Sequence, residues 1–189
     1  MNVILHVVCG WRVVMKKSFK DVVRNIVSAV AIFSILLQPV AVTAQTITID
    51  ATAPRANQPG LSTSGGNRPV INIVTPNAGV SHNRFGSLSS SSGLIFNNSK
   101  TAGTSQTGGT VQGNAALATS GSAKVILNEV RGTTGTTLAG SNEVFGGKAD
   151  LIIANPNGVT CNGCVFVNTG STVLSTGVPT VAGGTVTLR

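Results

Sequence analysis

The residues of this chain best placed to do chemistry are two cysteines three apart, in Cys161-Asn162-Gly163-Cys164. A pair at that spacing can cycle as a dithiol, supply half of a zinc site, or close a local disulfide. Dithiol chemistry wants a helix N-terminus to lower a thiol pKa, and no helical period follows. Zinc wants two more ligands, and beyond residue 44 His82 is the one further candidate of that kind. A tight turn brings its ends within about 7 Å, close to disulfide reach, so a bridge that fixes a turn is favoured among the three.

The other reactive side chains do not assemble into a mechanism. His82 stands between Ser81 and Asn83 with no carboxylate nearby in sequence, and reads as a turn or capping residue. Glu129 and Asp150 could form an acid pair, but nothing in their spacing requires it, and solvated or ladder-end roles suit them better. The run Ser87 to Ser92, between Gly86 and Gly93, reads as a flexible surface loop. No nucleophile, base and oxyanion donor come together, so the expectation is a non-enzymatic chain with no catalytic residue, metal or cofactor.

The elements that hold these residues are written in turns and short strands. Asn155-Pro156-Asn157-Gly158 has the preferences of a type I β-turn, with Asn first, Pro presetting φ and Gly fourth. The cysteine pair follows after two residues, so two successive tight turns are expected in ten residues. Apolar bursts recur at Val70–Val74, Leu94–Phe96, Lys124–Val130, Leu151–Ala154, Val165–Val167, Thr172–Leu174 and Thr185–Leu188, each bounded by Gly, Asn, Pro or Ser. Such bursts are strands, since a helix needs ten or more residues at a 3.6 period. Residues 45–68, with a short alternation at Thr46–Ile49 and then Pro54, Pro59 and a Ser/Gly run, read as one strand followed by an irregular covering loop.

The N-terminus is an export signal. Lys16 to Arg24 is basic, Ile26 to Leu37 is an uncharged apolar run, Gln38-Pro39 breaks it, and Val42-Thr43-Ala44 offers the small residues of a cleavage site between Ala44 and Gln45. Twelve apolar residues fall short of the ~20 needed to span a bilayer. Residues 1–14 are either an extension of the signal or precede the true start at Met15. Five of the thirteen Lys and Arg and one of the five acids lie in residues 1–44, so the net charge of +8 falls to +4 beyond them. The remaining cations are spaced singly, without the clustering and stacking aromatics of a nucleic-acid surface, and nucleic acid is not an expected partner.

Residues 45–189 suit one domain and contain no Tyr, Trp or Met, and of the aromatics only Phe85, Phe96, Phe145 and Phe166. Short strands in such a chain build either a sandwich or barrel of hairpins or a solenoid of stacked coils. Two features favour the solenoid: the scarcity of bulky aromatics, and Asn at strand ends (Asn72, Asn97, Asn128, Asn155, Asn168), where stacked amides can form ladders. At roughly 20 residues per coil, about seven coils and a rod some 35 Å long are expected.

These blocks together carry a resemblance. Ala123–Val130, Glu143–Gly146 and the unbroken run Ala149–Thr169 resemble the two-partner secretion domain that opens filamentous haemagglutinin-like adhesins, haemolysins and contact-dependent inhibition toxins of Gram-negative bacteria. Val70–Ile73, Gly79–Asn83 and Gly93–Ser99 resemble its N-terminal half. The resemblance implies an all-β fold, a right-handed parallel β-helix with an N-terminal covering segment and short antiparallel extra-helical strands. It also implies two secretion motifs: Asn155, Pro156, Asn157 and Gly158, intact, and Asn114, Ala115, Ala116 and Leu117, which keeps its ends and loses the Pro-Asn turn chemistry.

The function implied is that of a secretion-targeting domain. Sec machinery and signal peptidase would handle residues 1–44, and an outer-membrane transporter would then bind residues 45–189 through its periplasmic domains and pass them through its barrel to the cell surface or medium. Segments 111–117 and 155–168 would carry the recognition. A surface adhesin binding a host or neighbouring-cell ligand directly is the alternative. The strand pattern at Gly183–Arg189 breaks off inside a strand, which suggests a chain truncated from a longer protein.

Overall fold

The computed structural model describes residues 45–189 and, before them, Lys20. The export signal expected in residues 1–44, with cleavage expected after Ala44, lies outside the described residues apart from that one lysine.

Val, Ile and Leu in four-residue bursts, punctuated by Gly and Asn, yield strands that turn before they can lengthen. In chain order these are β1 (Thr46–Ile49), β2 (Gly60–Thr63), β3 (Pro69–Asn72), β4 (Val80–Ser89), β5 (Ile95–Asn98), β6 (Gly103–Ser105) and β7 (Gly109–Val111). Then come β8 (Val125–Val130), β9 (Thr136–Gly146), β10 (Ala149–Ala154), β11 (Val159–Val167), β12 (Thr169–Ser175), β13 (Pro179–Ala182) and β14 (Thr185–Leu188). Single 3₁₀ turns sit at Arg55–Asn57 and Ala115–Leu117.

Strands β4, β8, β10 and β12 stack in parallel in one sheet, and β3, β5, β9 and β11 in a second. The chain alternates between the two sheets, so it winds as a right-handed parallel β-helix, the hand that parallel crossovers take. Strand β1 pairs antiparallel with β4, and β2 antiparallel with β3, so a covering segment closes the starting edge of both sheets. The covering segment thus contains a second strand and a 3₁₀ turn where an irregular loop was expected.

The coils are β3–β4, β5–β8, β9–β10 and β11–β12, four rather than seven. The expected count failed because residues at both ends and in the middle leave the coil. The covering segment takes one share, and the antiparallel hairpins β6–β7 and β13–β14 take two more. Three steps of about 4.8 Å separate the first coil from the fourth, so the stack rises ~14 Å.

Strand alternation sends one set of side chains inward. Ile71, Phe85, Leu88, Phe96, Ile126, Leu138, Val144 and Leu151 form a contiguous core inside the coils, with Leu117 of the second 3₁₀ turn among them. A second, smaller cluster lies outside the coils, where Val70, Ile95 and Phe145 meet Val111 of β7. This satellite fixes the β6–β7 hairpin on the outer surface of the second sheet. The serine run is a surface loop only at Ser91 and Ser92, which are exposed: Ser87–Ser89 belong to β4, and buried Ser90 bridges to Leu138 of the third coil. Its hydroxyls are used structurally, with Ser90 Oγ donating to the Gly93 carbonyl and accepting from the Gly93 N–H.

Candidate functional site

Asn155 directly follows β10 and begins a corner. The Gly158 N–H donates to the Asn155 carbonyl at 3.0 Å, closing the expected β-turn, and Gly158 takes a left-handed φ of +107° that suits glycine. The Asn155 side chain is fully buried. Its amide donates to the Thr134 carbonyl and the Thr136 hydroxyl, both at 3.0 Å, while its oxygen accepts the Asn157 N–H at 2.9 Å. Asn157 in turn donates to the Gly132 carbonyl at 2.7 Å. The motif therefore clamps its own turn to the turn of the coil beneath.

The altered first motif does the same work without Pro-Asn. Asn114 accepts the Ala116 N–H at 3.0 Å, which caps the 3₁₀ turn, and donates to the carbonyls of Ile73 at 2.8 Å and Asn97 at 3.1 Å. Leu117 drops into the core with no exposed surface. The two end residues of the motif thus suffice to build the corner, because the asparagine amide and the apolar anchor carry its bonds and its packing. A cleft of about 330 Å³ opens beside it, between Arg55, Gln58 and Gly60 of the covering segment and Val74, Asn114 and Ala116.

Of the asparagines expected to stack as amide ladders, one pair does so and the others bond backbone instead. Asn97 and Asn72 bond amide to amide at 2.8 Å. Asn128 and Asn168 instead donate to backbone carbonyls of a neighbouring coil, at Ile152 and Val144.

Cys161 and Cys164 form a disulfide, with Cα atoms 5.2 Å apart. It does not close a second tight turn. Both cysteines lie inside β11, and the register on β9 slips between Asn162 and Cys164, leaving Gly163 as the extra residue of a β-bulge with φ of +64°. Asn-Gly between cysteines served equally well for bulge and turn, and stacking on β9 selected the bulge.

His82 is neither turn nor cap. It stands within β4, and its Nε2 lies 2.8 Å from Oε2 of Glu129 on β8, a carboxylate 47 residues away in sequence. Glu129 also meets Arg131 at 3.1 Å and Arg84 at 3.4 Å, and Arg84 lies 3.9 Å from Asp50 at the end of β1. Burial would raise the Glu129 pKa, but hydrogen bonds from His82 and Arg131 and the nearby Arg84 charge outweigh it and hold the carboxyl below its ordinary range. Glu129 and Asp150 are not brought together: Asp150 faces the other end of β8 and accepts the Ser171 N–H at 2.7 Å.

Sequence reasoning missed Glu143. Buried in β9, it accepts four hydrogen bonds from the tip of the β6–β7 hairpin: Ser105 and Thr107 hydroxyls at 2.6 Å each, and Gln106 and Thr107 N–H groups at 3.0 Å each. Burial opposes ionisation here as well, and these donors overcome it, lowering the pKa. Its donors lie 36 to 38 residues upstream, so no local spacing could reveal it.

Comparison with known proteins places this arrangement. Residues 45–187 match the model of a family described as the TPS secretion domain. Filamentous hemagglutinin of Bordetella pertussis is 47% identical over 127 residues, which are 66% of this chain and 4% of that protein. Toxin CdiA of Escherichia coli is 44% identical over 126 residues, 65% of this chain and 4% of that protein. Hemolysin of Serratia marcescens is 43% identical over 131 residues, covering 68% and 8%. Each match thus spans a small fraction of the relative. Among solved structures, the crystal structure of the filamentous hemagglutinin secretion domain superposes with a TM-score of 0.68 at 40% identity, covering 76% of this chain and 46% of that one.

Proposed function

Because the chain belongs to the TPS secretion domain family, whose members pair with an outer-membrane transporter, we propose that residues 45–189 are the targeting domain of a larger exported adhesin or haemagglutinin-like protein. Residues 1–44 take it across the inner membrane through the Sec machinery, and signal peptidase cuts between Ala44 and Gln45. The transporter's periplasmic domains then bind the chain before it folds, its barrel passes it on, and the coils form at the cell surface. The domain performs no catalysis and takes no cofactor; any effector activity belongs to other parts of the larger protein.

The observation that carries the timing is the burial of both motif asparagines, Asn155 at 0% and Asn114 at 4% exposure. A transporter that reads these side chains must meet them in the extended chain, where β-forming segments of low charge suit strand addition. Their role after transport is to lock the corners. The experiment is a titration of the transporter's periplasmic domains against the chain freshly diluted from denaturant and against the folded chain. Binding confined to the unfolded chain, and weakened by Asn114→Ala with Asn155→Ala, is expected. Equal binding to the folded form, or no effect of the substitutions on the unfolded form, would sink the reading.

A further inference from the structure

The fold redistributes charge in a way the sequence hides. Residues 45–189 carry four acidic side chains, and the structure engages every one of them internally. Asp50 accepts from Thr52, Glu129 sits among His82, Arg84 and Arg131, Glu143 holds the hairpin tip, and half-buried Asp150 caps Ser171. Arg55, Lys100, Lys124, Lys148 and Arg189 stand exposed, with no side-chain carboxylate within ion-pair distance among the described residues. Three of the four carboxylates are thus buried and only Asp150 stays half exposed, so the charge on the folded surface is predominantly positive.

Three of those cations, singly spaced in sequence, sit on segments that the fold brings to one corner. Asn98, at the end of β5, donates to the carbonyls of Ala123 at 2.9 Å and Gly147 at 2.8 Å. Lys124 directly follows the first of these acceptors, Lys148 directly follows the second, and Lys100 lies two residues beyond Asn98. The Lys124 carbonyl also accepts the Asp150 N–H, so the Lys124 and Lys148 segments are neighbours on successive coils. Ser122 donates to the Asn98 carbonyl and closes the corner. One asparagine thus ties together the segments that carry three exposed lysines.

We propose that this lysine corner is a docking surface for the phosphate-bearing headgroups of a lipid membrane, which the domain meets as it folds at the outer surface. The setting rests on the secretion reading above; the binding chemistry does not. Flexible, exposed ammonium groups suit a diffuse sheet of anions better than a shaped protein site or unstacked bases. Half-buried Asp150, two residues past Lys148, offsets part of this charge and leaves the corner net positive. At roughly fivefold per lysine near an anionic surface, three together contribute about a hundredfold in partitioning.

The test is co-sedimentation of the full chain with vesicles of pure phosphatidylcholine or of phosphatidylcholine with phosphatidylglycerol. Wild type is compared with the triple variant Lys100→Gln, Lys124→Gln, Lys148→Gln, and with Arg55→Gln, Arg189→Gln as a control. Each chain keeps the same leader, so differences report these side chains, and circular dichroism checks that each variant is folded. Stronger binding to the anionic vesicles is expected, falling by about a hundredfold in the triple variant, less in the control, and weakening with salt. The proposal is overturned by equal binding to both vesicle types, by a triple variant that binds like wild type, or by duplex DNA displacing the chain as well as lipid at equal phosphate. None of these outcomes bears on transporter recognition, which the periplasmic-domain titration decides separately.

Discussion

Asn155 shows how much one amide can hold. Replacing it by Ala leaves the buried Thr136 hydroxyl and the part-buried Thr134 carbonyl and Asn157 N–H without this partner, at a cost of about 1–3 kcal/mol. Denaturant unfolding of Asn155→Ala against wild type measures that loss. The two buried glutamates give the fold an acid limit. Both carboxyls have pKa values lowered in the folded chain, so their stabilisation is full above the ordinary carboxylate pKa of about 4.3 and is lost as pH falls through the lower folded values. Unfolding midpoints should therefore drop below about pH 4, and Glu143→Gln should weaken the protein at neutral pH while flattening that acid limb. A wild-type midpoint that stays constant down to pH 3, roughly a unit below the usual range, would contradict this account. The bridge between Cys161 and Cys164 spans two residues, so its removal by Cys161→Ser with Cys164→Ser should cost only about 1–2 kcal/mol.

At the scale of elements, the β6–β7 hairpin is the piece most dependent on a later part of the chain. Its tip is held by Glu143 and its inner side rests on Phe145, both from β9. Gly108 lets the tip approach, since a Cβ there would run into the Ile95 side chain. In Gly108→Ala, hydrogen exchange should quicken at the hairpin amides while β8 and β10 stay protected; uniform loss of protection would mean that the hairpin is no separate unit. The same elements show what was legible in the sequence. Strands β8 and β10 are dense runs of Val, Ile and Leu and could be read directly. The hairpin could not, because Gly103–Val111 is mostly Gly, Thr and Ser, and Val111 alone packs beneath it. Strand β9 was only partly visible, because Gly140 interrupts it and Asn142 and Glu143 look like loop residues until distant partners are known. The disulfide was readable from its spacing, the bulge it spans was not, and His82 and Glu129 found each other only through the stacking of β4 on β8.

For the whole molecule, four coils, a covering segment at the starting edge and a motif at each of two corners form a unit whose polar side chains mostly bind coil to coil. Such a chain offers extended, weakly charged segments before folding and buried asparagines after it, which suits passage through a barrel followed by closure. The account is tested most directly by co-expressing the chain with the candidate outer-membrane transporter, with and without that transporter's periplasmic domains, and measuring the protease-sensitive fraction outside intact cells. The prediction is appearance at the surface or in the medium only with the complete transporter, in a form that is folded once released. Equal export without the transporter would contradict it.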